Sequence, residues 1–177
     1  MKNDVDERAL TIMVPEAEAF VCSFRAEYGH RADGGVPAHI TVNHPFCPAV
    51  AGEEQMEEKL AGLFSRMAAF TFALTEVRRF PAALYLAPEP EEPFKQLIAA
   101  VAARFPESPP YEGKFTEIIP HLTVAYLEDE QEIEVVGAAL AAAAAKALPI
   151  TAEVRNVQLI EKVGNVWRER RSFQLQG

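Results

Sequence analysis

Two stretches decide how this chain reads: HITVNHPF at residues 39–46 and PHLTVAYL at residues 120–127. Each carries His, an aliphatic residue, Thr and Val in that order, as His39-Ile40-Thr41-Val42 and His121-Leu122-Thr123-Val124. β-Branched and aliphatic residues of this kind favour a strand. Along a strand, side chains at i and i+2 share one face and those at i+1 and i+3 share the other. His39 and Thr41 therefore line one face, with Ile40 and Val42 behind them. His121 and Thr123 repeat the arrangement over Leu122 and Val124. The chain has four His and seven Thr in 177 residues, so Thr two places after His is expected about 0.16 times by chance. It occurs twice, and both times a strand is expected.

Working outward, the elements on either side of each motif follow the same order. In the first half, residues 9–14 read as a strand ended by Pro15, and residues 16–28 as a helix with Phe20, Val21 and Phe24 on one stripe. A loop with Gly34-Gly35 leads to the motif strand. A helix at 52–67, with Met56, Leu60, Leu63 and Met67 in line, precedes an alternating strand at 70–77. The second half gives a strand at 82–86 and a helix at 91–105 with Phe94, Leu97, Ile98 and Val101 inward. A Pro-rich loop and the second motif strand at 118–127 follow, then an alanine-rich helix at 131–148. Residues 150–163 and 166–175 flank Gly164-Asn165 and read as a long terminal hairpin. This predicts an α+β, bilobed fold with a pseudo-two-fold axis. It has two similar strand-helix-strand-helix-strand lobes and one extra strand at the end. The expectation is a single domain over 1–177, with lobes of roughly 1–80 and 81–177 joined near Phe80-Pro81.

Composition narrows the class of function. With 17 Lys+Arg against 26 Asp+Glu, the net charge is −9, which speaks against a grip on long duplex nucleic acid through its phosphates. A hydrophobic share of 49 % fits a globular chain. No run reaches the length of a membrane span, and the charged first residues lack the apolar core of a secretory signal. The expectation is a cytoplasmic protein without a membrane partner. Cys22 and Cys47, with no metal spacing, read as reduced thiols. The sequence offers no reading of oligomeric state.

Two His-Thr pairs facing one groove suit phosphodiester chemistry. A neutral imidazole can take a proton from an attacking water or hydroxyl, and a protonated one can give a proton to the leaving oxygen. Thr hydroxyls can donate to the non-bridging phosphate oxygens. No metal or cofactor is needed for these steps.

The paired motifs, in a duplicated α+β layout that covers nearly the whole chain, resemble the 2H phosphoesterase superfamily. That group includes bacterial proteins named for 2′-5′ RNA ligase activity and cyclic nucleotide phosphodiesterases. The resemblance implies a bilobed fold around a central cleft. It also implies metal-independent cleavage or transfer at cyclic or 2′-linked phosphodiesters of small nucleotides or RNA ends. The family's catalytic positions fall on His39, Thr41, His121 and Thr123. Many RNA-acting members have Arg shortly after the second motif, where this chain continues Val124-Ala125-Tyr126. Some cyclic phosphodiesterases have Tyr at a similar offset, which makes Tyr126 a candidate substrate-binding residue. Simple alternation instead puts Tyr126 on the opposite face from His121 unless the strand bulges or ends, so a packing role stands beside it.

The remaining candidates have plainer readings. His44 is favoured as an element-end histidine over a contact at the cleft rim, and His30 as a solvated loop residue. Lys114, Arg168, Arg170 and Arg171 read as surface charges, and Trp167 and Phe173 as packing residues. Two other functions stay open. One is a binding module that recognises a nucleotide or RNA end without turnover. The other is a metal-dependent hydrolase using His39, His44 and His121.

Overall fold

The alternation that gives each motif a polar face also builds the core behind it. In a computed structural model of the chain, which describes residue 5 and residues 7–29, 35–49 and 52–177, Ile40 and Val42 are buried, as are Leu122 and Val124. His30 and Gly34 lie outside the described residues. Twelve elements follow in order: β1 (Glu7–Met13), α1 (Pro15–Tyr28), β2 (His39–Asn43), α2 (Glu53–Phe64), β3 (Phe70–Phe80) and β4 (Ala83–Glu89); then α3 (Glu92–Arg104), β5 (Leu122–Tyr126), α4 (Glu130–Ala147), β6 (Ile150–Val154), β7 (Asn156–Val163) and β8 (Val166–Gln174). A short 3-10 turn, Pro110–Gly113, precedes β5. Among the described residues, no helix is long and apolar enough to cross a membrane.

The strands form two four-stranded sheets, ordered β2-β1-β7-β8 and β5-β4-β3-β6. All pairings between these strands are antiparallel. The α+β class and the pseudo-two-fold lobes are as the sequence predicts. Each motif strand, β2 or β5, sits at the edge of its sheet beside the strand that opens that half, β1 or β4.

The lobes are not the two halves of the sequence, however. β3 belongs to the second sheet, where Phe80 pairs with Ala83 across the two-residue turn Pro81-Ala82. Phe80-Pro81 is thus a hairpin turn within one sheet and no joint between lobes. The stretch 150–163 is not one strand either. It breaks at Arg155, so that β6 pairs with β3 while β7 crosses to pair with β1. The β7–β8 hairpin itself is as read, with Gly164 at the positive φ of 61° that such a turn requires. The second helix ends at Phe64, short of Met67. The Met67 carbonyl instead receives the Gln176 N–H at 2.7 Å, while the Ala69 N–H reaches the Gln176 carbonyl at 2.8 Å, which ties the end of the chain to this corner.

Helices lock the sheets together. α1 packs against β5 of the second sheet, and α3 against β2 of the first. One continuous hydrophobic cluster draws Leu10, Ile12 and Ile40 from the first sheet and Leu84, Leu86 and Leu122 from the second. α1 also fixes where the first motif begins. Glu18 accepts the Ala38 N–H at 2.6 Å, and Arg25 donates to the Val36 carbonyl at 2.8 Å. On the outer side of the first sheet, Arg8 and Arg170 bridge Glu53 of α2 to Glu161 of β7. That network pins α2 over the sheet by charge-assisted hydrogen bonds.

Candidate functional site

β2 and β5 approach one another along their edges. A cleft of about 170 Å³ lies over their polar faces, and His39, Thr41, His121 and Thr123 all line it. The four motif residues predicted to converge are therefore brought together.

Both histidines are held the same way. Nδ1 of His39 lies 2.7 Å from the Pro37 carbonyl, and Nδ1 of His121 lies 2.7 Å from the Ile119 carbonyl. A carbonyl only accepts, so each Nδ1 carries the hydrogen and donates it. In the neutral ring this leaves Nε2 with a free lone pair, ready to take a proton. The partner stands two residues back in each case, so the local chain, and not a distant residue, sets the tautomer.

Burial depresses both rings. It pushes His39 down to about 4, against the opposing pull of the Pro37 hydrogen bond, and the positive charges of Arg25, His121 and His44 add to the shift. Burial also lowers His121, opposed by its bond to the Ile119 carbonyl. The surroundings differ. His121 meets the rings of Phe80 and Tyr85 edge to face, with centroids 5.0 and 5.6 Å away. An aromatic face favours a cation beside it, whereas Arg25 beside His39 disfavours one.

The strands then depart from simple alternation, at the same place in each motif. Thr41 pairs with Thr11 and Asn43 with Leu10, so Val42 is left without an opposite residue. Thr123 pairs with Tyr85 and Ala125 with Leu84, which leaves Val124 likewise unpaired. An extra residue of this kind is a β-bulge, and it reverses the face of whatever follows. Val42 and Asn43 both turn inward, as do Val124 and Ala125. His44 and Tyr126, each five residues after a motif histidine, therefore both line the cleft. For Tyr126 this removes the objection from alternation. For His44 it overturns the reading as a bland element-end residue. His44 Nε2 is 3.1 Å from Glu7 Oε2, and its ring meets Trp167 edge to face at 6.0 Å. Glu7 also takes Lys162 at 3.2 Å, and its carboxyl is held below the usual carboxylate range, chiefly by the His44 hydrogen bond.

Several lining residues escape a reading of the sequence. Thr11 and Ala9 come from β1, whose alternation places them on the same face as Thr41. Tyr111 arrives from the loop before the second motif. That loop is stitched to the end of β2 and the residues after it by hydrogen bonds that include Asn43 Nδ2 to the Ser108 carbonyl at 2.9 Å, the Cys47 N–H to Ser108 Oγ at 2.8 Å, and the Tyr111 N–H to the His44 carbonyl at 2.8 Å. Burial pushes the Tyr111 hydroxyl up to about 12. Trp167, read as packing, forms part of the wall. Arg170 and Arg171 are engaged with the carboxylates of α2, and Lys114 with Glu112.

The chemical character of the cleft is one-sided. Among the described residues, its lining holds three histidines, Arg25, three Thr hydroxyls and two Tyr hydroxyls, with no Asp or Glu. A chain of net charge −9 has gathered donors and positive charge at one place, which is the electrostatic profile of an anion site. Among the described residues, no group of three His, Cys, Asp or Glu is arranged to hold a metal ion.

Solved structures share this fold across almost their whole length. A protein described as a phosphoesterase is 16 % identical with a TM-score of 0.64, covering 98 % of this chain and 99 % of its own. E. coli LigT, solved as a complex with 3′-AMP, is 14 % identical with a TM-score of 0.63, covering 97 % and 98 %. TT0787 of Thermus thermophilus is 18 % identical with a TM-score of 0.59, covering 97 % and 98 %. No curated protein matches the sequence. The family model of the 2′-5′ RNA ligase superfamily matches residues 13–165, a span that contains both motif strands and most of the residues lining the cleft between them, and the chain belongs to that superfamily.

Proposed function

We propose that the protein is a metal-independent phosphoesterase of cyclic or 2′-linked phosphodiesters, acting on a small nucleotide or an RNA end. The observation that carries this reading is the pair of histidines with one shared tautomer, each beside a Thr hydroxyl, in a cleft lined by donors. The similarity to LigT, itself solved with 3′-AMP, NADP+ and ATP, supports a ligand of nucleotide size. The cleft suits a phosphate and its sugar better than an extended duplex.

In this reading Nε2 of His39 is the general base. Burial, with the charge of Arg25 added, depresses it to about 4 and keeps it free of a proton. His121, flanked by aromatic rings, is the general acid. An incoming phosphate supplies the negative charge that holds a proton on its Nε2. For a 2′,3′-cyclic substrate, His39 takes a proton from water and the water oxygen bonds to phosphorus. One P–O(ribose) bond breaks, and His121 protonates the departing oxygen. Thr41 and Thr123 donate to the non-bridging oxygens, where charge accumulates. Tyr126 contacts the substrate at the second-lobe end of the cleft.

The test is turnover of the four nucleoside 2′,3′-cyclic monophosphates with EDTA present, beside His39→Ala and His121→Ala. Turnover in EDTA that both substitutions abolish supports the reading, and the product isomer identifies the bond that breaks. Saturable binding with no product would instead establish a binding module, and activity abolished by EDTA would establish a metal enzyme.

A further inference from the structure

The cleft floor carries a third threonine, and its hydroxyl is unbonded among the described residues. Thr11 is only 1 % exposed, and its Oγ1 has no hydrogen-bond partner among the described residues. A buried hydroxyl left so is costly, and such groups usually mark a place where something else binds. The neighbours do not relieve it. Thr41, its partner on β2, is directly opposite on the same face. Gln158, its partner on β7, directs its amide to the Met13 N–H and to Asn156. Thr11 also lines the cleft beside His39 and Thr41. In the second lobe the corresponding position, opposite Thr123, is Tyr85, whose ring lies against His121. Tyr85 does not line the cleft and its own hydroxyl bonds to Arg78, so at this strand position an unbonded hydroxyl borders the cleft on the His39 side alone among the described residues.

From this placement we infer that Thr11 Oγ1 is a third hydroxyl donor to the phosphate, next to Thr41, and that it breaks the two-fold symmetry of the floor. This rests on the phosphoesterase reading for its role in turnover, though not for its role in anion binding. With Thr41 and Thr123 it gives three donors, which suits the charge gathered on phosphate oxygens during cleavage and on the monoester product. The substrate is thereby held more tightly on the side where His39 acts.

Thr11→Val removes the hydroxyl and keeps the shape, whereas Thr11→Ser keeps the hydroxyl. Calorimetric titration with inorganic phosphate and with adenosine 2′-monophosphate reads binding, and thermal unfolding of the ligand-free protein reads stability. Thr11→Val is expected to weaken both ligands about tenfold, to lower kcat/KM for cyclic nucleotides by a similar factor, and to leave the ligand-free Tm unchanged or raised. Thr11→Ser should bind within about twofold of the wild type. Unchanged affinity in Thr11→Val, or a lowered Tm with unchanged affinity as for a hydroxyl held by a structural water, would overturn the inference. So would a wild type that binds neither ligand. Should cyclic nucleotides not be turned over while phosphate affinity still depends on Thr11, the reaction proposed above fails and the Thr11 contact stands.

Discussion

The two halves of the cleft start from nearly the same sequence and end with different chemistry. Each has His-aliphatic-Thr-Val, an Nδ1 bond of 2.7 Å to the carbonyl two residues back, and a bulge at the Val. The difference lies in what surrounds them. His39 lies within reach of Arg25 and His44 and shares its floor with Thr11. His121 is walled by Phe80 and Tyr85. Local sequence thus sets orientation and tautomer, while burial and residues from other elements set proton affinity. Two copies of one motif can then divide the roles of base and acid.

The sharpest way to break the comparison is to remove each histidine. His39→Asn and His121→Asn should each lower kcat/KM by about 10²- to 10⁴-fold. The residual activities carry the assignment. Wild-type kcat/KM should follow a bell whose rising limb lies near pH 4, from His39, and whose falling limb lies below the ordinary histidine value near 6.5, from His121. His39→Asn should lose the rising limb and His121→Asn the falling one. An optimum above pH 7, or the reverse loss of limbs, would refute the division.

A smaller effect should follow from the aromatic wall. Tyr85→Leu takes a ring from beside His121 and should move the falling limb to lower pH while the rising limb stays in place. If both limbs move together, the wall does not act on His121 alone. The pH dependence of stability gives a further check. His39 has a folded value of about 4 against an ordinary value of 6.5, so the unfolded chain binds the proton more readily between them. Stability should be intact above about pH 6.5 and fall as the pH drops toward 4. Urea midpoints for wild type and His39→Asn should converge across that window. Parallel curves would show that His39 is not the source. The mildest expected change is Tyr126→Phe, a few-fold rise in KM with kcat nearly unchanged, on the order of one neutral hydrogen bond. An effect confined to kcat would place Tyr126 in the chemistry instead.

Much of this was legible in the sequence because it rests on short-range periodicity. The alternation around His39 and His121 gave the strands, the buried face and the polar face. The stripes of Phe94, Leu97, Ile98 and Val101 gave a helix that is buried along those residues. Sheet membership was not legible, because the pairing of β1 with β7 joins residues such as Arg8 and Glu161 across most of the chain. No local pattern marks the break at Arg155 either. The bulges at Val42 and Val124 involve no glycine, so counting by twos left Tyr126 undecided and nothing drew His44 out of its reading as an element-end residue. Thr11 gave no signal, since threonine is common in strands for reasons of shape alone. Tyr111 reaches the cleft only because Ser108 and Asn43 fasten a distant loop to β2.

The crossing of β7 into the first sheet has a consequence for the order in which the protein is made. Every strand of the second sheet lies between residues 70 and 154, so that sheet can close while the ribosome is still adding residues. The first sheet cannot. β1 emerges before any strand of the second sheet, yet its neighbour β7 begins at Asn156, and Ala9 meets its partner Ile160 only after the whole second sheet has been translated. During synthesis β1 and β2 wait with one side uncovered, exposing Leu10 and Ile12 and an open row of backbone groups. The wall of the cleft formed by Ile160 and Trp167 comes last. A nascent chain therefore has its first motif well before it has a finished cleft, which makes the β7–β8 hairpin the step that completes the site.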